Sequence, residues 1–264
     1  MIALSAKNIR SALNTAWVGQ LVVYHQSVGS TNDEAKELAE AGAPDGTLVI
    51  ADHQMRGRGR LDRQWWSPPG LNLLFSLIFR PEFLAPHQAQ RLMMICSLAL
   101  CDVVTKVTGL WATVKWPNDV LLGGRKLCGL LAELGLSSTR LDYAVVGMGI
   151  NVNVDFAGDD APALMTPATS LKIELGREIS RMEVLAALLR RVEARYESLR
   201  AGALPHDEWQ SRLNLLGQTV QVTMPHRVLT GLATGVDADG ALLVQQPDGK
   251  VERVLAGDVT LREQ

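Results

Sequence analysis

Residues 51–66, ADHQMRGRGRLDRQWW, concentrate four arginines in eight positions: Arg56, Arg58, Arg60 and Arg63. The intervening glycines, Gly57 and Gly59, let the backbone turn sharply and come close to a ligand. Each guanidinium group is planar and permanently charged, so it can pair with phosphate or carboxylate oxygens. The pattern predicts a flexible cationic loop. From these residues alone, the loop would bind nucleic acid or a phosphorylated small molecule, or would simply be solvated.

A second candidate region is KWPNDVLLGGRKLCGLL, at residues 115–131. Lys115 and Asp119 flank a Pro-Asn turn at the end of the predicted strand ATVKW, a place where side chains converge on a cleft. Lys126 begins an apolar strand. A lysine there loses hydration, which is costly unless an anion compensates its charge. The sequence leaves open whether that anion is a ligand or a carboxylate of the protein itself, Asp119 or Glu133.

Other chemistries lack their signatures. GMGIN, at residues 147–151, has neither the third glycine nor the following helix of a dinucleotide fingerprint, and the P-loop, HExxH and GxSxG motifs are missing. Cysteines and histidines show no metal-ligand spacing, so we expect buried reduced thiols and surface or core histidines: Cys96, Cys101, Cys128, His25, His53, His87, His206 and His226. Trp65 and Trp66 are typical of a core, although one beside a flexible loop would pin it.

The overall composition is that of an ordinary globular protein. Lys and Arg number 26 against 28 Asp and Glu, with 47% apolar residues, so the arginine cluster is local and not part of a generally basic surface. The most hydrophobic helical run, LMMICSLALCDVV, is too short to span a bilayer, and the N-terminus has no long apolar segment. We therefore expect a soluble, cytoplasmic protein that does not bind membranes.

The positioning elements can be predicted from periodicity. We expect strands at residues 21–27, 46–54, 72–79, 112–116, 126–134 and 142–154, and a buried helix at 88–107. A helix is predicted in STNDEAKELAEAG, with Thr31 and Glu34 forming a capping box, and another after a second box at Ser180 and Glu183. Residues 155–170 lack periodicity and are interpreted as a mobile surface loop, whose role the sequence does not define.

The last helix and the C-terminal region complete the pattern. The helix after Ser180 has a core-facing stripe at helical spacing: Leu185, Leu188, Leu189, Val192, Tyr196 and Leu199. After Gly217, short alternating strands and the turn sequences DADG and PDG predict a small appended barrel.

Taken together and in this order, STN, Q..GRGR....W, KWPND, RKLCGLL and GMGIN resemble the biotin–protein ligases of compact form, the biotin–acetyl-CoA-carboxylase ligases. The resemblance covers residues 21–155 by motif, and the strand-rich C-terminus resembles that family's SH3-like domain. It implies an α+β fold: a class II synthetase-like catalytic domain, with a mixed, mostly antiparallel sheet and flanking helices, at residues 1–215, and an SH3-like β-barrel at 216–264.

The resemblance also implies an activity. Biotin and ATP, with Mg²⁺, form biotinyl-5′-AMP and pyrophosphate, and the biotinyl group then passes to one lysine of a biotin carrier protein domain of a carboxylase. No dedicated protein metal site is implied, because phosphate oxygens would hold most of the Mg²⁺ coordination. A homodimer is expected at the level of the family.

Site residues follow by motif. The resemblance assigns these to biotin: Ser30, Thr31, Asn32, Gln54, Arg58, Gly59, Arg60 and Lys126. It assigns these to the nucleotide: Arg58, Trp65, Asn118, Asp119, Lys126 and Asn151. Lys126, Arg60 and Arg58 are the predicted catalytic cations.

Two other functions remain as alternatives. A lipoate or octanoate–protein ligase shares the fold, but Gln54 and the STN cluster favour a polar head group. A biotin-responsive regulatory protein would need a DNA-binding module, which takes on the order of 60 residues, whereas 29 residues precede Ser30. A biotin sensor without catalysis would need the reacting lysine to be missing, and Lys126 is present. We therefore expect no sequence-specific DNA binding.

Overall fold

The computed structural model describes residues 3–61, 63–156 and 166–261. The helices in these ranges are α1 (Ala6–Ala12), α2 (Thr31–Glu40), α3 (Gln90–Thr108), α4 (Leu171–Leu175), α5 (Arg181–Arg200) and α6 (His206–Arg212). The strands up to Ile150 are β1 (Val22–His25), β2 (Leu48–Ala51), β3 (Leu73–Phe79), β4 (Ala112–Lys115), β5 (Asp119–Leu122), β6 (Arg125–Ser137) and β7 (Arg140–Ile150). Those that follow are β8 (Thr219–Met224), β9 (Arg227–Val236), β10 (Leu242–Gln245), β11 (Val251–Val254) and β12 (Asp258–Leu261).

A seven-stranded sheet forms the centre of the molecule, in the order β1-β2-β3-β7-β6-β5-β4. The β1–β2 pair is parallel, and the other five pairs are antiparallel. The prediction of an α+β fold with a mixed, mostly antiparallel sheet is therefore confirmed. The sequence predicts no strand at β5, because it directly follows the Pro-Asn turn that Lys115 and Asp119 flank.

The middle strand β3 shows why the sheet has two different faces. Every residue of β3 is buried, as its apolar sequence predicted. Successive side chains point to opposite faces. Phe75 and Leu77 join the main core with α3, whereas Ile78 belongs to a smaller cluster with Ala35 of α2. Ser76 therefore faces the α2 side, where it meets the start of that helix.

The long helices agree closely with prediction. Twelve residues of α3 are buried, and the helix ends at Gly109 in a left-handed conformation, with φ of 72°. The stripe of α5 is buried as expected, and the Ser180 hydroxyl accepts a hydrogen bond from the amide of Glu183 at 3.3 Å. Within the described ranges, no helix is both long and apolar enough to traverse a bilayer.

The predicted capping box at Thr31 is wrong. Ser30, with φ of −152°, is the N-cap of α2, and its side chain makes no capping bond. The Thr31 hydroxyl instead donates to Gln54 Oε1 at 3.0 Å and lies 2.9 Å from Ser76 Oγ. The Thr31 hydroxyl therefore joins a longer-range hydrogen-bond network and does not cap the helix.

The strand predicted at 142–154 ends earlier, at Ile150. Beyond it, the Asn153 amide exchanges two hydrogen bonds of 2.9 Å with the backbone of Ile179, which draws the chain away from the sheet. Of the predicted loop at 155–170, residues 157–165 lie outside the described residues. The part at 167–169 pairs with the start of β6 and is not a free surface loop.

The C-terminal strands form an antiparallel sheet in the order β11-β10-β9-β8-β12. No pairing between β11 and β12 is present in the described residues, so closure into a barrel stays a prediction, as does the domain boundary at 215 and 216. The sheet contacts the main part of the molecule through Trp116 Nε1, which donates to Gly240 O at 2.9 Å, and through an ion pair of Arg91 with Asp239, also 2.9 Å. Gly257 and Asp258 thereby come to lie beside the arginine cluster.

Candidate active site

A cavity of about 1260 Å³ opens over the central sheet. It is bounded by the start of α2, the arginine cluster, the KWPND turn, the first half of β6, the end of β7 and the edge of β12. All the predicted site residues line it: Ser30, Thr31, Asn32, Gln54, Arg58, Gly59, Arg60, Trp65, Asn118, Asp119, Lys126 and Asn151. The structure thus brings together residues that are up to 121 positions apart, while their individual roles remain predictions.

One end of the cavity is a network of small polar groups, which we call the polar cradle: Ser30, Thr31, Asn32, Gln54 and Ser76. Gln54 Oε1 accepts from both the amide and the hydroxyl of Thr31, at 2.8 and 3.0 Å. The Ser76 hydroxyl donates to Asn32 Oδ1 at 2.6 Å. Sequence reasoning missed Ser76, although one hydroxyl inside the otherwise apolar run of β3 was a usable signal.

The glycines of GMGIN make room for the cavity wall. A Cβ on Gly147 would lie 2.0 Å from Asn32 Oδ1, and one on Gly149 would lie 2.6 Å from the indole ring of Trp65. Both distances are far inside normal contact. Glycine in a strand often marks such a close approach. This GxG motif therefore makes room for the side chains of Asn32 and Trp65, and it is not part of a dinucleotide fingerprint.

Lys126 lies at the start of β6, whereas the cradle residue Asn32 packs against Gly147, the partner of Leu131 further along the same strand. Lys126 Nζ is 2.9 Å from Asp119 Oδ1 and 5.4 Å from the centroid of the Trp65 ring. Of the two carboxylates that the sequence offers as partners, the structure places Asp119 and not Glu133 beside Lys126. The Lys126 backbone is fixed by Pro167 O and the Thr169 amide, at 2.8 and 2.9 Å.

The asparagines next to this lysine support backbone geometry. Asn151 is buried. Its side-chain Nδ2 donates weakly to Lys126 O at 3.4 Å, and its backbone N–H donates to Leu127 O at 2.9 Å. Asn118 exchanges two bonds with the backbone of Leu130, at 2.7 and 2.9 Å. Both residues thus keep the strand that carries Lys126 in register with its neighbours.

The arginine loop, residues 56–61 and 63, folds back on itself. The Gly59 amide donates to Arg63 O at 2.7 Å, and the Trp65 amide donates to Gly57 O at 2.9 Å. A Cβ on Gly57 would lie 2.6 Å from Trp65 O, so this position needs glycine. The flexibility that the sequence predicts for this loop stays a prediction.

The arginines of this loop point in different directions. Arg58 pairs with Asp33 of α2 and with Glu133 of β6, the latter at 2.9 Å. Arg60 reaches towards the KWPND turn and the C-terminal sheet, where it donates to Asn118 Oδ1 at 3.3 Å and to Gly257 O at 3.2 Å. Arg63 pairs with Asp258. The loop is therefore held from both sides of the cavity mouth.

Burial acts on the charges of the site. It lowers the pKa of the Arg60 guanidinium, and the nearby carboxylates of Asp258 and Asp119 oppose that shift. For Glu133, burial would raise the pKa, but the hydrogen bond from Asn32 and the charges of Arg58 and Lys36 outweigh burial and lower it. A partly desolvated cation such as Arg60 gains strongly from an anionic partner.

Two further features bear on ligand chemistry. Trp65 lines the cavity, and its indole Nε1 is buried without an acceptor in the described part of the chain. Among the described residues, no group of three His, Cys, Asp or Glu side chains is placed to hold a metal ion. A divalent cation here would take most of its ligands from phosphate oxygens.

The cysteines do not take part in the site chemistry. Cys96, Cys101 and Cys128 are buried and unpaired with one another, as expected. Burial raises the pKa of Cys96 and of Cys101 to about 12, and it also raises that of Cys128. A thiol needs a lowered pKa to act as a nucleophile near neutral pH.

Comparisons with known proteins define the class to which this fold and site belong. Residues 24–151 match the Biotin/lipoate A/B protein ligase family, and residues 215–262 match the Biotin protein ligase C terminal domain. The chain therefore belongs to the biotin protein ligases within that family.

Particular relatives agree over nearly the whole chain. The bifunctional ligase/repressor BirA of Bacillus subtilis is 34% identical over 260 residues, which are 98% of this chain and 79% of that protein. The biotin–acetyl-CoA-carboxylase ligase of Mycobacterium tuberculosis is 32% identical over 269 residues, with 97% and 95% coverage. The structure of biotin protein ligase from Aquifex aeolicus, in complex with biotin and ATP, is 29% identical and superposes with a TM-score of 0.76 over 93% of this chain and 100% of that one.

Proposed function

We propose that this cavity activates biotin with ATP to give biotinyl-5′-AMP and pyrophosphate, and then transfers the biotinyl group to a lysine of a biotin carrier protein domain of a carboxylase. The observation that carries the proposal is the meeting of the polar cradle and the Lys126–Asp119 pair in one cavity. Relatives named as biotin–acetyl-CoA-carboxylase ligases support the substrate and the carrier.

The polar cradle suits the head group of biotin. Its ureido ring is neutral and both donates and accepts hydrogen bonds, and the cradle offers hydroxyl, amide and backbone groups of both kinds. Thr31 and Asn32 are buried and fixed by their contacts with Gln54 and Ser76, so they need little reorganisation on binding. A rigid site of this kind favours affinity, because less side-chain freedom is lost.

The part of the cavity around Lys126 suits the first chemical step. The biotin carboxylate attacks the α-phosphorus, a new bond from oxygen to phosphorus forms, and the bond to the pyrophosphate leaving group breaks. Because two anions must approach, catalysis rests on charge neutralisation and positioning. Lys126 and Arg60 supply the cations. Mg²⁺ on the phosphates would add further positive charge, and Asp119 offers a carboxylate oxygen to hold it.

The second step needs a dry but accessible acyl group. The carrier's lysine, as the free amine, attacks the acyl carbon, the bond from that carbon to the phosphate oxygen breaks, and AMP leaves as the amine gives up a proton. A mixed anhydride hydrolyses in water, so a cover is required until the carrier arrives. The arginine loop, held by Glu133 on one side and by Gly257 and Asp258 on the other, is placed to act as that cover.

Lipoate or octanoate–protein ligation is the alternative activity, since the matched family includes lipoate ligases. Two observations favour biotin. The C-terminal match is to biotin protein ligases, and the cradle is polar where a dithiolane ring or an alkyl chain would want apolar contacts. A homodimer and a cytoplasmic location stay predictions.

The test is ATP–pyrophosphate exchange with biotin, lipoate or octanoate supplied in turn. We expect exchange with biotin alone, followed by labelling of a carrier domain that avidin detects; exchange that prefers lipoate or octanoate would overturn the proposal. Carrier domains of acetyl-CoA carboxylase and pyruvate carboxylase, compared as acceptors, identify the partner.

Some relatives are ligase/repressors. A gel-shift assay therefore tests whether this protein binds DNA, and we expect no site-selective DNA binding.

A further inference from the structure

Glu133 of β6 lies at the junction between the polar cradle and the arginine loop. A single carboxylate oxygen, Oε2, accepts a hydrogen bond from Asn32 Nδ2 and one from Arg58 Nη2, both at 2.9 Å. The other oxygen, Oε1, accepts from Lys36 at 3.2 Å. The side chain is only 21% exposed, so these contacts replace most of its hydration.

The Asn32 amide is fixed at both ends by this arrangement. Its oxygen receives the Ser76 hydroxyl at 2.6 Å, and its nitrogen donates to Glu133 and, more weakly, to Leu131 O at 3.4 Å. Without an acceptor at Glu133, the amide could rotate, and a cradle residue would lose its defined donor and acceptor sides. Such supporting groups commonly determine how well a binding residue is placed.

The same carboxylate also contacts the arginine loop, through Arg58. Arg58 also pairs with Asp33, whose side chain is 46% exposed, whereas that of Glu133 is 21% exposed. Charge-assisted hydrogen bonds to a partly buried acceptor are stronger than exposed ion pairs. Glu133 thus contacts both the loop, through Arg58, and the cradle, through Asn32.

We propose that Glu133 is a positioning residue that couples the binding of biotin in the cradle to the closed position of the arginine loop, in which Arg58 contacts Glu133. This inference rests on the function proposed above. It follows from linkage that, if biotin binding favours the closed loop, a closed loop favours biotin to the same extent. The charge of Glu133 holds Arg58, and its acceptor oxygen orients Asn32, so the two roles can be separated by substitution.

Two variants separate them. Glu133→Gln keeps an acceptor for Asn32 but removes the charge that holds Arg58, whereas Glu133→Ala removes both. The readouts are the KM for biotin and kcat in pyrophosphate exchange, and the rate at which trypsin cleaves the arginine loop with biotin and ATP present. For Glu133→Gln we expect loop cleavage about fivefold faster or more and a KM for biotin within about threefold of the parent, because only the charge is lost. For Glu133→Ala we expect both changes, with KM raised about tenfold.

Lys36→Met is the matched control, because it removes a partner of the same carboxylate on the side away from the cradle and keeps a good helix former. It should leave both readouts within about twofold of the parent, the scale of an exposed ion pair. Parent-like cleavage of Glu133→Gln, or a parent-like KM of Glu133→Ala, would overturn the proposal. So would equal losses in both variants with equal falls in Tm, which would show a purely structural role. Failure of the parent protein to exchange pyrophosphate with biotin would instead contradict the proposed function.

Discussion

Lys126 and Asp119 form an ion pair of 2.9 Å between neighbouring strands, and both residues line the cavity. Asp119 begins β5 and Lys126 lies near the start of β6, so the register of this hairpin sets their separation. The Lys126 side chain is 26% exposed, and the cavity gives ligands access to it. A bound carboxylate and phosphate would therefore compete with, or share, a cation that the protein already holds in place.

The first prediction concerns this lysine. We expect Lys126→Ala to lower kcat for pyrophosphate exchange by about a hundredfold, the scale seen when one charge-stabilising group is removed from an active site. The Kd for biotin, measured by calorimetry without ATP, should change by less than about threefold, because the cradle lies elsewhere in the cavity. Lys106→Ala, at an exposed position of α3, is the control. Equal losses of binding and catalysis would refute the assigned role.

The second prediction uses the two close-packed glycines. Gly147→Ala places a methyl group against Asn32 and should raise the KM for biotin, whereas Gly149→Ala places one against Trp65 and should raise the KM for ATP more than that for biotin. Each change overpacks the site and should cost about 1–3 kcal/mol of unfolding free energy. Steady-state kinetics with each substrate varied in turn checks the split. Identical effects of the two variants on both substrates would contradict it.

The third prediction follows from the lowered pKa of Glu133. Its cationic and amide partners outweigh burial and hold the pKa below its ordinary value of 4.5. Between the folded and unfolded pKa values the unfolded chain binds more protons, so this contribution to stability is present above 4.5 and is lost as the pH falls through the folded value.

The unfolding free energy of Glu133→Gln should therefore decrease less than that of the parent protein when the pH falls below 4.5. Urea titrations from about pH 7 to about pH 3.5 measure it. Glu37→Gln, at an exposed position of α2, should follow the parent curve. Parallel curves for the parent and Glu133→Gln would show that the carboxylate gains nothing on folding.

The fourth prediction concerns the thiols. Because burial raises the pKa of Cys96 and Cys101 to about 12 and raises that of Cys128 as well, native protein should react slowly with a thiol-specific disulfide reagent at about pH 8. All three cysteines should react at once in denaturant. Pyrophosphate exchange should survive treatment of the native protein. Rapid modification of one thiol with loss of exchange would contradict both the burial and the absence of a cysteine role.

Much of the scaffold could be predicted because its signals are local. The continuous apolar run of β3, the buried periodicity of α3 and the Ser180 cap of α5 all depend on neighbours within a few residues. Two further predictions failed because a distant partner intervened. Thr31 leaves its predicted cap for Gln54 and Ser76, and the Asn153 contacts with Ile179 end β7 early.

The sequence by itself determined which side chains are available for the chemistry, because the arginines, Lys126 and the cradle residues stand in motifs that can be read along the chain. Only the tertiary structure decided how they pair. Lys126 meets Asp119 and not Glu133, while Glu133 meets Asn32 across 101 positions of sequence and Arg58 across 75. The physical reason is that strand order and register bring these charges together, and a charged group within a few ångströms of several partners is bound by the one that the sheet places nearest.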